Sequence, residues 1–207
     1  MRNQLIKKIC LSILSAIVML LSSAAVQTQK PTVSASPSPA PLKLERQTKF
    51  DGNVTFPEVD GWALSKKTQY PTPDMGYSVN YESPAARITI YVYTGGRSAI
   101  PNSLHGIVAE EMKETQAGIN SIVEQGYYES AKEVKNETIA LGGVKGKVRS
   151  LHVQYVLKAS GRELDSHIYL FPYNNYFIKV RTTGPRATQP HTDLVALLEA
   201  MDLLFSK

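Results

Sequence analysis

His152 and His167 are the two side chains whose placement would matter most for chemistry in this sequence. Imidazole titrates near neutral pH and binds metals, so two on one surface can move protons, hold an anion or ligate zinc. A two-residue turn at Ser160-Gly161 brings them together. It pairs Leu157 with Leu164, Val153 with Ile168 and Leu151 with Leu170, and it sets Lys158 opposite Glu163. In that register the histidines are diagonal neighbours on one face, beside Tyr169, Gln154 and Asp165. The following turn, Asn174-Asn175, decides what joins them. A two-residue loop sets Lys179 and Arg181 beside Leu170 and Ile168. An odd-length loop instead aligns Ile178 and Val180 with that apolar face, and it is preferred unless both faces of the sheet are covered. With the odd loop, Lys179 and Arg181 join the histidines. The candidate ligand-binding set is His152, His167, Tyr169 and Arg181, suited to a small anion. Zinc would draw in Asp165, but no metal and no cofactor is assigned. The plainer reading, and the preferred one, is the wet face of a half-buried sheet or a polar layer beneath a helix.

Other spacings come close to known chemistry and stop short. Gly142-Gly143-Val144-Lys145-Gly146-Lys147 is one residue short of a phosphate loop, and Val148 stands where a magnesium-binding hydroxyl belongs. It reads as a hairpin turn. Gly95-Gly96-Arg97 precedes a helix at loose spacing and reads as a turn. Gly76-Tyr77-Ser78-Val79-Asn80 approaches a nucleophile elbow, but Asn80 replaces the final glycine and the segment reads as a strand. Glu110, Glu111 and Glu114 read as a solvated helix face, with nothing apolar around them to raise a pKa. Tyr91 and Tyr93 share a strand face, where packing under a helix is the expectation, and Trp62 is assigned to core packing. No catalytic residue is assigned and the chain is read as a non-enzyme.

Composition narrows the classes further. The 207 residues carry a net charge of +5, but Arg2, Lys7 and Lys8 lie in an N-terminal segment with the features of a signal peptide. From residue 50 onward there are 16 Lys and Arg against 17 Asp and Glu, which removes the argument for nucleic acid. The single cysteine, Cys10, lies in that same segment, so a processed chain has no thiol chemistry.

Residues 1–25 read as the export signal: a basic start, an apolar stretch from Ile9 to Leu21, and Ser23-Ala24-Ala25 for cleavage. A membrane association is expected only if this segment is not cleaved. Residues 26–49, rich in Pro and Ser, read as a semi-rigid linker. Residues 50–207 read as a single domain. Asn53-Val54-Thr55 and Asn136-Glu137-Thr138 are glycosylation sequons, whose use depends on the host.

The elements that must position the histidines follow from periodicity. Tyr77, Val79 and Tyr81 alternate, as do Ile88, Ile90 and Val92. A turn at Pro84-Ala85 pairs Tyr81 with Ile88, Val79 with Ile90 and Tyr77 with Val92. A helix is predicted from Pro101, capped by Asn102 or Ser103 and stopped by Gly126. Its stripe is Leu104, Ile107, Val108, Met112, Ile119, Ile122 and Val123. Strands fill Tyr127 to Arg181, and a second helix begins near Pro190. The class is α+β, a largely antiparallel sheet packed by helices.

This order of elements resembles the Mog1/PsbP-like α/β sandwich. The residues carrying the likeness are Phe56-Pro57, Gly61-Trp62, Gly76-Tyr77-Ser78-Val79, Ile88-Thr89-Ile90-Tyr91-Val92-Tyr93 and Phe177-Ile178-Lys179-Val180-Arg181. The chain is similar as well to uncharacterised exported bacterial proteins of that architecture. The resemblance implies fold and export, and an accessory or binding role, and it carries over no functional residue. The expectation is an exported, periplasmic or extracellular, non-enzymatic accessory or binding protein of the cell envelope. Its partner would be an envelope protein or a small anionic ligand. The alternatives are a small-ligand or anion-binding module and, further off, a hydrolase.

Overall fold

The computed structural model describes residue 56 and residues 59–84, 86–141 and 148–186. The export segment, the linker, the helix expected near Pro190 and the turn at Gly142-Gly143 lie outside the described residues.

Among the described residues, seven strands form one antiparallel sheet: β1 (Ala63–Gln69), β2 (Tyr77–Glu82), β3 (Arg87–Tyr93), β4 (Ser130–Leu141), β5 (Val148–Ala159), β6 (Arg162–Tyr173) and β7 (Tyr176–Pro185). Their spatial order is β1-β2-β3-β7-β6-β5-β4, so the meander of β4 to β7 folds back until β7 lies beside β3. The helix α1 (Ile107–Glu124) connects the two halves and packs on one face of the sheet.

The first hairpin has the expected register, with Tyr77 opposite Val92, Val79 opposite Ile90 and Tyr81 opposite Ile88. So does the third, with Leu157 opposite Leu164, Val153 opposite Ile168 and Leu151 opposite Leu170. Ser160 and Gly161 have φ of 51° and 72°, the paired left-handed conformations of a two-residue hairpin turn. Lys158 does face Glu163 along the backbone, but the charges pair elsewhere. Lys158 Nζ lies 3.0 Å from Glu129 Oε2, and Glu163 pairs with Arg186. Glu129 also accepts from the Gly161 N–H at 2.7 Å. That bond, followed by Lys158, holds its carboxyl below the usual range.

The β6–β7 turn corrects the preferred odd loop. Asn174 and Asn175 both have positive φ, 45° and 66°, and Tyr173 pairs with Tyr176 across a two-residue turn. Lys179 therefore faces Leu170, and Arg181 faces Ile168. The odd loop was needed only if one face alone was apolar, whereas this sheet buries side chains on both. Tyr91, Tyr93, Val153, Leu157, Ile168, Leu170 and Phe177 pack with Val108, Met112, Ile119 and Ile122 of α1. On the opposite face Tyr77, Val79, Tyr81, Ile88, Ile90, Val92, Tyr169, Phe171, Ile178 and Val180 form a second core.

Asn175 also ties this turn to the chain before α1, because its Oδ1 accepts from the Ile100 N–H at 2.7 Å. Asn175→Ala should cost about 2 kcal/mol, from a buried N–H left without its acceptor and a left-handed backbone without asparagine's tolerance for it. Urea unfolding checks this, and an unchanged midpoint contradicts it.

The helix starts later than its sequence signals suggest. Gly106, with φ of 62°, is the N-cap, and Ser103 Oγ accepts from the His105 N–H within a separate turn. The stop is as expected. Tyr127 N–H bonds Ile122 O and Gly126 N–H bonds Val123 O, a glycine-dependent helix end with Gly126 at φ 79°. At the far edge, β4 carries a bulge between Glu133 and Lys135 and a run of exposed charge, features that discourage pairing with another sheet.

Candidate functional site

The register of β5 and β6 sets His152 opposite Tyr169 and Gln154 opposite His167, so the expected histidine face exists. It is not wet: His152 is 2% exposed and His167 8%. His152 Nε2 lies 3.1 Å from His167 Nδ1, and His152 Nδ1 lies 3.1 Å from Glu137 Oε1 on β4. The rings of His152, His167 and Tyr169 are nearly parallel, with His152 and Tyr169 centroids 4.6 Å apart. A carboxylate at Nδ1 requires a proton there. A neutral His152 then accepts from His167 at Nε2, and a protonated one donates to it. In both cases a single N–H fills the gap between the rings. Burial pushes the Tyr169 phenol up, and the Glu137 charge adds to it.

A carboxylate-oriented imidazole is the arrangement of a general base. Here the imidazole nitrogen that would take a proton from a nucleophile faces a second imidazole. The three groups form a hydrogen-bonded brace across β4, β5 and β6. Among the described residues no group of three or more His, Cys, Asp or Glu is placed to hold a metal.

Arg181 does not join this face. It projects on the α1 side, where Nε donates to Ser166 Oγ at 3.3 Å and Nη2 to the Tyr128 hydroxyl at 3.0 Å. The cause is the two-residue turn, which shifts β7 by one position and exchanges its faces. Lys179 moves with it and is buried between aromatic rings, with Nζ 5.0 Å from the Tyr91 centroid and 5.1 Å from that of Tyr93.

The glutamate reading is corrected for Glu111, which is 5% exposed and accepts from the Tyr93 hydroxyl at 2.7 Å. Its place in the helix carries the signal. Val108, Glu111, Met112, Thr115, Ile119 and Ile122 are all buried residues of α1 at helical spacing, so position 111 belongs to the stripe. Burial raises its carboxyl above 4.5, against the opposing pull of Lys179. The folded protein therefore holds this proton more tightly than the unfolded chain. Glu111 contributes most to stability below pH 4.5, and that contribution falls as pH rises through the elevated folded value. Glu111→Gln should flatten this part of the pH profile. Urea midpoints from pH 4 to 7 check it, and parallel profiles for the two proteins contradict it.

Ser78 sits within β2 and accepts from the Tyr70 hydroxyl at 3.0 Å, as a strand residue rather than an elbow nucleophile. Gly95 and Gly96 form a turn with φ of 60° and 76°, as expected, and Arg97 N–H bonds Thr94 O.

That turn borders a feature local sequence patterns did not reveal, a cleft of about 550 Å³ at one end of the sheet. Gly76, Tyr77, Val92 and Tyr176 line it, with Asp74 from the 3-10 turn Pro73–Met75 and Arg97 from the loop after β3. Gln69, Thr94 and Ser98 add polar groups. Arg97 lies 3.7 Å from Glu110, a pairing that orients the guanidinium without saturating its five donors. Such a volume falls within the roughly 300–1,000 Å³ of small-molecule sites.

No protein-family model matches the sequence, and no curated protein matches it. Solved structures do. The Synechocystis sp. PCC 6803 PsbP protein, CyanoP, is 10% identical with a TM-score of 0.47, covering 79% of this chain and 94% of its own. The Saccharomyces cerevisiae Ran-binding protein Mog1p is 12% identical with a TM-score of 0.37, covering 76% and 87%. A Pseudomonas aeruginosa protein of unknown function, PA94, is 17% identical with a TM-score of 0.37, covering 65% and 78%. All three likenesses are of low identity, and no residue role is carried from them.

Proposed function

We propose that the chain is an exported, non-enzymatic accessory or binding protein of the cell envelope. The basic start and apolar stretch of residues 1–25 support export. The observation that carries the binding role is that Glu111, Glu137, His152 and His167 bond other side chains and none of them lines the cleft. Glu137, His152 and His167 bond one another, and Glu111 bonds Tyr93 beneath α1. The cleft between the 3-10 turn and the loop after β3 is lined instead by aromatic, hydroxyl and amide groups with one guanidinium and one carboxylate. That lining suits recognition better than proton transfer or nucleophilic attack. No helix among the described residues is long and apolar enough to cross a membrane.

N-terminal sequencing of the exported protein should find the chain beginning near Val26, and an intact Met1 contradicts processing. Crosslinked capture from native envelope, with residues 26–207 as bait, should enrich one envelope component. Recovery of no specific component from envelope overturns the accessory-protein reading. A second reading, a small-ligand module, is favoured by the cleft itself.

A further inference from the structure

We propose that the cleft binds an acidic sugar, with Arg97 taking the carboxylate, Tyr176 facing the ring, and Asp74 and Gln69 bonding its hydroxyls. The inference deepens the binding role and rests on it.

Each part of such a ligand has a counterpart among the lining groups. A pyranose presents a flat face of C–H bonds, which packs on aromatic surface while hydroxyls radiate from its rim. Tyr176 is half-buried and offers that surface, whereas Tyr77 is 4% exposed, is met edge-on by the Phe56 ring at 6.1 Å and belongs to the core beside it. A carboxylate is the strongest acceptor available for sugar hydroxyls, and an amide both donates and accepts. Asp74 supplies the first; Gln69 supplies the second, with one Nε2 hydrogen already donated to Gly76 O at 3.0 Å and its second N–H and its oxygen left for a ligand. Arg97 gives the site its charge preference. Guanidinium forms two parallel hydrogen bonds with a carboxylate, a geometry the 3.7 Å contact with Glu110 does not reach. A ligand carboxylate would therefore improve on the existing partner. Asp74 on the same lining disfavours a ligand that is anionic throughout, such as inorganic phosphate. It favours one with a single acidic group and several hydroxyls.

Backbone hydrogen bonds hold the two sides of the cleft together. The Gly76 N–H bonds Pro73 O, and the Asp74 carbonyl accepts from the Thr94 and Gly95 N–H groups. These bonds fasten the 3-10 turn to the loop carrying Arg97, so the groups meant for hydroxyl and carboxylate are held in place before binding.

Titration calorimetry of the full chain with D-glucuronate, D-glucose, a glucuronate-containing oligosaccharide and inorganic phosphate tests the proposal. Glucuronate should bind at least tenfold more tightly than glucose, and phosphate more weakly than glucuronate. Arg97→Gln should erase the preference for glucuronate over glucose while leaving the unfolding midpoint near that of wild type. Tyr176→Ala should weaken both sugars at least fivefold. A further tenfold gain for the oligosaccharide identifies polysaccharide as the source of the acidic sugar, and equal affinity identifies the free sugar acid. No binding of either uronate probe, equal binding of glucose and glucuronate, or an Arg97→Gln protein that keeps the preference overturns the proposal. If the envelope component is captured equally by wild type and Arg97→Gln while no sugar binds, the sugar site falls and the accessory role stands.

Discussion

Gly76→Ala should be the most damaging single-methyl change in the described structure, costing about 4 kcal/mol or abolishing cooperative unfolding altogether. A Cβ at this position would lie 1.9 Å from Val92 O and 2.9 Å from Tyr93 Cα. Both are backbone atoms of the adjoining strand and cannot swing aside as a side-chain tip can. The backbone at Gly76, with φ 61° and ψ −131°, is a conformation L-residues rarely adopt. Overpacking costs roughly 1–3 kcal/mol and the strained backbone a similar amount, which together approach the stability of a small domain. Gly161→Ala is the control. Its φ is 72°, but no atom lies within 4 Å of the added carbon, so only the backbone strain of about 1 kcal/mol is expected. Denaturation midpoints of the two variants give the comparison. Equal costs would contradict the close approach of Gly76 to the Val92 carbonyl.

The second large effect lies in the histidine brace. Replacing either His152 or His167 with phenylalanine leaves a buried ring nitrogen of the other without its partner, at about 2–3 kcal/mol each. The double variant removes both polar groups and fills both spaces with rings. It should therefore cost about 1–2 kcal/mol less than the sum of the single changes. Glu137 loses its partner in the His152 variant at little cost, because its side chain is 44% exposed and water replaces the imidazole. Additivity within about 0.5 kcal/mol would show that the two rings do not share a bond.

The hairpins were legible in the sequence where turn chemistry and apolar alternation agreed. Tyr77, Val79 and Tyr81 could meet Ile88, Ile90 and Val92 in only one sensible register, and Leu157 to Leu164 fixed the β5–β6 pair in the same way. The β6–β7 pair was not legible, because Leu170 and Phe171 are both buried, as are Phe177 and Ile178. With apolar residues on both faces, alternation cannot choose a register, and the Asn174-Asn175 turn decides it. That single shift moved Arg181 away from the histidines and carried Lys179 under α1. The start of α1 was misplaced because Pro101 and Ser103 form a turn of their own before Gly106. Glu111 was hidden by its neighbour, since one glutamate of an adjacent pair points outward while the other completes the buried stripe. The cleft could not be read from spacing. Its lining comes from the end of β1, the 3-10 turn, β2, β3 and its following loop, and the start of β7, which are adjacent only in the folded sheet.

The histidine face and the cleft make opposite predictions about where a ligand lands. Chemical-shift mapping of the full chain during a D-glucuronate titration separates them directly. Shifts concentrated at Gly76, Thr94, Gly96, Arg97 and Tyr176, with His152 and His167 unmoved, are the predicted result. Shifts centred on His152, His167 and Tyr169, with the cleft residues silent, would contradict the account and return the binding function to the histidines.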